Sequence, residues 1–256
     1  MACSFSRRRM RYLIFSDIHA NITALDTVLE ASKGQWDQAV CLGDIVGYGP
    51  DPNEAVDRIR ELGCVTIRGN HDKAIAGLTE AEEFNPIART AVLWSRERLT
   101  PENLEFLSQL RQGPVFVDGF CIVHGSIHDE DEYVFVPPQA IEELRIAPTP
   151  LTFFGHTHRQ GGFMQRGAGL GVITFDPSPR NLIGSLPVEE GATYLLNPGS
   201  VGQPRDGDPR AAYAIADIDQ KKVEFWRIPY DIAAVQNRMF EALLPEPLIM
   251  RLSVGR

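Results

Sequence analysis

Five of the six histidines in the sequence stand near glycine, acidic or histidine neighbours, at points where predicted strands end. Because ligands of open α/β sheets bind beyond the carboxyl ends of the strands, these side chains can meet at one edge. Carboxylate, imidazole and amide donors without thiolate suit Mn²⁺, Fe, Zn²⁺ or Co²⁺. The sequence therefore predicts a metal centre. The motifs are Asp17-Ile18-His19, Gly43-Asp44, Gly69-Asn70-His71-Asp72, His124-Gly125 and Gly155-His156-Thr157-His158.

The number of donors indicates two ions. One ion uses about four to six donors, and these motifs offer more, so a carboxylate shared between two ions is expected. Such a pair activates water for in-line displacement at phosphorus. Two divalent ions outweigh the carboxylates of Asp17 and Asp44, so the centre attracts a phosphate ester even on a chain of net charge −9.

Taken singly, the same residues have ordinary structural explanations. An isolated aspartate such as Asp17 or Asp44 is a common helix cap, and His124 resembles a hydrogen-bonded core histidine. All of these explanations must hold together to exclude a metal centre. They would then bury several unpaired polar groups at strand ends, which is unfavourable. The metal centre is therefore the preferred interpretation.

Alternating strands and helices must position these motifs. Strands over 12–16, 38–42 and 65–68 alternate with helices over 20–32 and 52–62, which is typical of parallel βαβ units. Asp51 is placed to cap the second helix. The glycine- and proline-rich stretch 160–191 predicts hairpins and loops. Further helices are expected over 86–98, 102–110, 138–145, 231–243 and 246–252, and further strands near 115–118, 120–124, 151–154, 192–196, 211–217 and 222–227.

Composition narrows the class of protein. With 256 residues and 43% hydrophobic content, the chain can bury a core, and we expect a single domain over 10–256. Residues 1–9 are expected to form a basic arm or extension, because the apolar run after Arg9 is too short for a signal peptide. The acidic net charge argues against nucleic acid as a partner. Four widely spaced cysteines predict reduced thiols in the cytoplasm, and no apolar run is long enough for a membrane span.

Together the motifs resemble those of the calcineurin-like metallophosphoesterase superfamily. They occur in that family's order over residues 17–158. The longer phrases over 43–54 and 197–202 resemble a branch of small prokaryotic phosphoesterases and phosphodiesterases, which extends the resemblance to about residue 230. The resemblance implies an α/β fold with four layers, an αββα sandwich around two mixed β-sheets.

The resemblance also implies roles for individual residues. Asp44 would bridge two divalent ions, and a hydroxide between the ions would attack phosphorus. His71 would protonate the leaving oxygen, oriented by Asp72. Manganese is the expected metal, with iron, zinc, cobalt or nickel as alternatives. The remaining ligands would be Asp17, His19 and His158 for one ion and Asn70, His124 and His156 for the other.

Three further residues are weaker candidates for substrate binding. Tyr48 would either line the pocket or pack beneath the glycine-rich turn. His128 would either touch substrate or lie in a nearby loop. Arg205 would either hold a phosphate oxygen or be exposed, and the exposed position is favoured.

These observations predict a hydrolase of small phosphorylated compounds, a phosphatase or phosphodiesterase. A non-catalytic binding module on the same fold is the alternative from another class, and one retromer subunit resembles such a degenerate member. Among enzymes, a dinucleoside polyphosphate hydrolase stays open. A protein phosphatase is disfavoured, because the segment 43–49 lacks the basic residue of that class. The native substrate, the choice between monoester and diester, and the oligomeric state are left open.

Overall fold

The structure is a computed structural model that describes residues 10–256. Twelve strands and eight α-helices lie within those residues, and most of them follow the hydrophobic runs that predicted them. Their order along the chain is β1 (Arg11–Phe15), α1 (Ile22–Ala31), β2 (Gln38–Cys41), α2 (Pro52–Leu62), β3 (Val65–Thr66), α3 (Asn70–Ile75), α4 (Pro86–Arg98), α5 (Pro101–Gln109), β4 (Val115–Val117), β5 (Phe120–Ile122), α6 (Pro137–Ile146), β6 (Leu151–Phe153), β7 (Gly161–Arg166), β8 (Gly169–Ile173), β9 (Leu182–Pro187), β10 (Ala192–Asn197), β11 (Ala211–Asp217), β12 (Lys222–Ile228), α7 (Ile232–Glu241) and α8 (Glu246–Leu252).

The first sheet has the strand order β3-β2-β1-β11-β12-β9. Strands β1, β2 and β3 are parallel, because helices α1 and α2 carry the chain back between them. The remaining strands add in antiparallel fashion to β1. The carboxyl ends of the three parallel strands therefore lie at one edge of this sheet, where the first three motifs begin.

The second sheet has the strand order β4-β5-β6-β10-β7-β8. Its centre is parallel across β5, β6 and β10, and antiparallel pairs form both edges. The stretch 160–191 contains the expected hairpin, β7–β8, and then β9, which joins the edge of the first sheet.

Four apolar clusters lie within the described residues, and three of them hold the layers of the fold together. Tyr12 and Phe225 of the first sheet pack with Phe120 and Phe153 of the second in a core between the sheets. The outer face of the first sheet packs on α1 and α2, and α6 covers the outer face of the second. The predicted four-layer αββα sandwich with two mixed sheets is confirmed.

Local differences from the sequence predictions have clear causes. Asp51 precedes α2 but makes no capping hydrogen bond, because Arg238 of α7 engages both of its carboxylate oxygens at 2.9 and 3.0 Å. Strand β3 is shorter than predicted, and the motif after it begins a helix, α3, that was not predicted. The expected arm over 1–9 lies outside the described residues. No helix within residues 10–256 is long and apolar enough to cross a membrane.

Candidate metal centre

Both sheets deliver their polar motifs to the same place. From the first sheet, Asp17 and His19 follow β1, Asp44 follows β2, and Asn70 begins the helix after β3. From the second sheet, His124 follows β5, while His156 and His158 follow β6. All of these side chains except Asn70 are almost fully buried. The edge at which parallel strands end is thus a cluster of buried polar groups, as the sequence predicted.

The backbone is unusual at these positions. Five of the nine non-glycine residues with positive φ in residues 10–256 are predicted ligands. Left-handed φ is costly for such residues and concentrates at functional sites, where surrounding contacts hold it in place. These residues are Asp17, His19, Asp44, His156 and His158.

Glycine in the motifs allows close approach between chains. A Cβ atom on Gly69 would lie 2.1 Å from Oδ1 of Asp44, and one on Gly155 would lie 2.1 Å from Oγ of Ser16. Both distances are far below van der Waals contact, so neither position has room for a side chain. The two glycines let the loops of different strands meet at the cluster.

The first group of donors comprises Asp17, His19, Asp44 and His158, whose ligand atoms all lie within 4.8 Å of one another. Nε2 of His19 lies 3.5 Å from Oδ2 of Asp44, and Nε2 of His158 lies 3.5 Å from Oδ1 of Asp17. These distances suit donors arranged around one cation.

The second group comprises Asp44, His124 and His156. Nε2 of His124 lies 3.5 Å from Oδ2 of Asp44, the same oxygen that faces His19. Asn70 contributes a buried Oδ1 that has no hydrogen-bond partner among the described residues. Asp44 therefore belongs to both groups, which is the arrangement expected of a bridging carboxylate.

Hydrogen bonds to backbone carbonyls orient the imidazole rings. A carbonyl only accepts, so each ring nitrogen that faces one must carry the proton and leave its other nitrogen free as a ligand. In His156 this donor is Nε2, which faces the carbonyl of Asp131 at 3.1 Å and leaves Nδ1 free. The other three rings donate from Nδ1, to the carbonyl oxygens of Val46 for His19 at 3.2 Å, of Leu42 for His124 at 2.8 Å and of Gln203 for His158 at 2.6 Å.

Several buried ligand atoms have no partner in the protein. Buried polar atoms are normally paired, and those left over call for a water or an ion. Carboxylate, amide and imidazole donors together fit divalent transition metals. We conclude that the residues present fit a metal centre. The unpartnered ligand atoms are Oδ2 of Asp17, Oδ2 of Asp44, Oδ1 of Asn70 and Nε2 of His124.

The pKa values show how the cluster balances charge without a cation. Burial raises the pKa of Asp44, but His124, His71 and His19 together outweigh burial and leave this pKa well below its usual range. Burial lowers the pKa of His124, but Asp44 raises it to about 10. Burial lowers the pKa of His156 to about 3 and raises that of Asp17 to about 7. A proton on His124 therefore compensates Asp44, and a cation would take the place of that proton.

His71 lies beside the cluster and outside both donor groups. Its ring packs against Tyr48, Phe84 and His19 at centroid distances of 4.4, 4.8 and 4.9 Å. Nδ1 is buried against Gly47 and has no hydrogen-bond partner among the described residues. Nε2 is therefore the ring nitrogen that can transfer a proton. Burial lowers the pKa of His71 to about 4.

Asp72 does not orient His71, contrary to the expectation. Its carboxylate accepts hydrogen bonds from the backbone amides of Ile45 and Val46 at 2.9 and 3.2 Å and of Gly69 at 3.0 Å. Adjacent residues on a helix point in different directions, so the side chains of positions 71 and 72 diverge. Asp72 instead joins the loop after β2 to the start of α3, which fixes Asp44 relative to Asn70.

The sequence of the chain matches a known family. The model of the calcineurin-like phosphoesterase superfamily domain matches residues 10–221. The chain belongs to this superfamily.

Relatives cover nearly the whole chain. Uncharacterized protein MJ0912 of Methanocaldococcus jannaschii is 35% identical over 253 residues, which are 95% of this chain and 97% of its own. Phosphodiesterase YfcE of Escherichia coli K12 is 24% identical over 82% of this chain and 89% of its own. The crystal structure of a metallophosphoesterase from Sphaerobacter thermophilus has 41% identity and a TM-score of 0.81, covering 97% of this chain and 100% of that one.

The three weaker candidates take different positions. Tyr48 is buried and lies against both His19 and His71, at centroid distances of 4.6 and 4.4 Å. Arg205 is half-buried, with its guanidinium 5.5 Å from the centre of the Tyr48 ring, so the favoured exposed position was wrong. The loop holds it there because its amide donates to the carbonyl of His158. His128 is exposed, and no described contact joins it to the ligands.

Two cavities open near the cluster. One of about 210 Å³ is lined by His71, Asn70 and His156, and also by Thr79 and Phe84. The segment between α3 and α4 therefore forms part of the wall of this cavity. A larger cavity of about 860 Å³ contains none of the ligands and is lined by Arg159, Gln160, 174–179, Ile183, 206–210 and Arg227.

Sequence reasoning missed two side chains near the cluster. Tyr133 stacks on His156 with ring centroids 3.8 Å apart and lines the smaller cavity. Arg251 of α8 shares a hydrogen-bond acceptor with Arg205. Neither residue lies in a motif, and only the folded chain brings them to the cluster.

Proposed function

We propose that this protein is a two-metal-dependent hydrolase of phosphate esters, a phosphatase or phosphodiesterase acting on small molecules. The observation that carries the proposal is the sharing of Oδ2 of Asp44 between two donor groups. A single-metal site needs only one of these groups. Membership of the superfamily and the similarity to a phosphodiesterase support the same reaction class.

The two donor groups would hold one ion each. Asp17, His19 and His158 would complete the first site, and Asn70, His124 and His156 the second, with Asp44 common to both. Manganese suits this set of nitrogen and oxygen donors without thiolate. Divalent ions, when bound, polarise phosphoryl oxygens and lower the pKa of a water molecule. The carbonyls that accept from the imidazoles keep the ligand nitrogens unprotonated and aimed at the centre.

His71 would donate a proton from Nε2 to the leaving oxygen. Its low pKa leaves the imidazole neutral in the substrate-free protein at neutral pH. A bound phosphate ester brings negative charge beside the ring, and an adjacent opposite charge favours the protonated form. We therefore expect His71 to gain its proton together with the substrate.

The protein is proposed to work in the cytoplasm. Cys41, Cys64 and Cys121 are free thiols, and two of them are buried. Unpaired cysteines within the described part of the chain are typical of a reducing compartment.

The test is hydrolysis of bis-nitrophenyl phosphate by protein loaded with Mn²⁺, together with a count of bound ions. Activity with about two ions per chain is the expected result. Asp44→Asn should lower both the ion count and the rate, by about 100-fold or more for the rate, because Asp44 touches both groups. Asp57→Asn, which changes an exposed carboxylate on α2, serves as the matched control.

The alternative is a binding module without activity on the same fold. It predicts that Mn²⁺, Co²⁺, Ni²⁺ and Zn²⁺ all fail to support turnover, although ions bind. That outcome would overturn the proposal. An ion count of one with full activity would overturn only its two-metal part.

A further inference from the structure

Two arginines converge on one neutral oxygen beside the metal centre. Nη2 of Arg205 lies 2.9 Å from Oε1 of Gln203, and Nη1 of Arg251 lies 3.1 Å from the same atom. The two guanidinium groups are therefore close neighbours, although like charges repel. Burial lowers the pKa of Arg251, and the charge of Arg205 lowers it further.

None of the carboxylates whose side chains the structure describes forms an ion pair with either arginine. Nε of each guanidinium is also buried and without a hydrogen-bond partner among the described residues. A guanidinium cannot lose its charge by deprotonation in a protein. Two adjacent cations with buried unpaired donors are the arrangement that an anionic ligand would complete.

Gln203 connects this pair to the metal ligands. Its backbone carbonyl accepts from Nδ1 of His158 at 2.6 Å, while its side chain accepts from both arginines. The backbone amide of Gln203 donates to Oγ of Ser200, and this hydroxyl in turn donates to the carbonyl of Asp17. The segment 197–202, noted in the sequence, thus fixes the arginine pair relative to the first donor group.

The two arginines differ in their distance from the ligands. The backbone amide of Arg205 donates to the carbonyl of His158 at 3.1 Å, and its guanidinium lies over the ring of Tyr48, which itself packs against His19. Arg205 therefore lies directly beside the first donor group. Arg251 approaches from α8 and reaches Arg205 and Gln203. The pair therefore places two positive charges next to the residues of the first donor group.

We propose that Arg205 and Arg251 bind a second phosphoryl group, linked to the one held at the metal ligands. The substrate class is then an ester of a diphosphate or longer polyphosphate. This inference rests on the proposed function, because the first phosphoryl group needs the metal centre. A simple diester carries a single negative charge, whereas a diphosphate carries more charge and so has a group for the second arginine to bind.

The test compares two ligands that differ by one phosphoryl group. Adenosine monophosphate has a single group, and α,β-methylene adenosine diphosphate has two joined by a bridge that resists hydrolysis. We expect the Mn²⁺-loaded protein to bind the diphosphate more tightly in isothermal titration. Arg251→Gln should raise its Kd about 10- to 100-fold, the effect of losing a charge-assisted hydrogen bond, and should change the Kd of the monophosphate by less than about threefold.

Two further variants complete the design. Arg251→Lys keeps the charge without the planar fork, so it should raise the Kd of the diphosphate by a smaller factor, and it carries the test if Arg251→Gln does not fold. Arg145→Gln removes an exposed arginine from the last turn of α6 and serves as the matched control, with both Kd values unchanged. Bound metal is counted after each titration, because diphosphates chelate cations.

Equal affinity of the native protein for both ligands would overturn the inference. The inference would also be overturned if Arg251→Gln lost affinity for both ligands equally, since both arginines would then bind the same phosphoryl group. The inference and the proposed function fail in different ways. Failure of Mn²⁺, Co²⁺, Ni²⁺ and Zn²⁺ to support hydrolysis of either a nitrophenyl monoester or a bis-nitrophenyl diester overturns the function, whereas hydrolysis with no preference for the diphosphate overturns the inference alone.

Discussion

Nε2 of His19 and Nε2 of His158 face each other at 3.1 Å, while Nδ1 of each ring meets a backbone carbonyl. Because both Nδ1 atoms carry their protons, both Nε2 atoms present lone pairs. Burial lowers the pKa of both rings, so a proton between them is disfavoured. Two facing lone pairs repel unless a cation lies between them. This pair of rings is therefore suited to a cation, which the polypeptide itself does not supply.

Metal binding should therefore stabilise the folded protein. A ligand that binds only the folded state adds about 2.7 kcal/mol to the free energy of unfolding when its concentration is 100 times its Kd. We expect Mn²⁺ to raise the melting temperature of chelator-treated protein in a concentration-dependent way, measured by calorimetry. Mg²⁺, which binds imidazole poorly, should have a smaller effect. A melting temperature that does not change when Mn²⁺ is added would contradict this prediction.

His71→Gln should lower the rate of hydrolysis far more for some substrates than for others. A general acid contributes about 10²- to 10⁴-fold, and its contribution is needed most when the leaving group is a strong base. The rate with an alkyl or nucleoside ester should fall within that range, and the rate with a nitrophenyl ester should fall by less than about 10-fold. The measurement is kcat for both esters at one pH. Equal losses for both would remove His71 from the acid role.

The buried His71 should also contribute to the acid sensitivity of the metal-free protein. Its folded pKa of about 4 lies below the unfolded value of about 6.5, so between these pH values only the unfolded state takes up the proton. This stability is fully present above pH ~6.5 and is lost as the pH falls towards ~4. Urea unfolding at pH 7 and pH 5 measures the loss.

His71→Gln should lose less stability between these two pH values than the native protein does. The expected difference is about 2 kcal/mol. His128→Gln changes an exposed histidine and is the matched control, with the native pH dependence retained. Identical pH dependence in all three proteins would show that His71 titrates normally in the folded state.

The positions of the candidate ligands were predictable because the signals are local. Each motif follows an apolar run that ends a strand, and parallel strands must bring their carboxyl ends to one edge. The same holds for the hairpin in 160–191, where glycine and proline mark the turns. The order of strands across the two sheets was not predictable from local signals. Strand β9 follows the β7–β8 hairpin of the second sheet along the chain, but it pairs with β12 of the first sheet. The hydrophobic periodicity of a segment does not specify which distant strand it pairs with.

The errors share a physical origin in long-range contacts. Asp51 looked like a helix cap, but Arg238 binds it from 187 positions away. Arg205 looked exposed, but the ring of Tyr48 and the carbonyl of His158 hold it inward. Asp72 looked like a partner for its neighbour, but the loop after β2 presents better donors. Local propensity gives way wherever the tertiary structure offers a charged or hydrogen-bonding partner.

Gly69→Ala tests whether the fit between the loops, and not only the ligands themselves, builds the centre. The added methyl group would lie 2.1 Å from Oδ1 of Asp44, so the carboxylate or the loop that carries position 69 must shift and disturb both donor groups. We expect bound metal and activity to be lost together, although no ligand has changed. Gly169→Ala is the matched control, because its nearest described neighbour lies 3.4 Å away. That substitution should leave metal content intact and alter stability by no more than about 0.5 kcal/mol. Full metal content in Gly69→Ala, measured by elemental analysis, would mean that Asp44 can shift without leaving the ions.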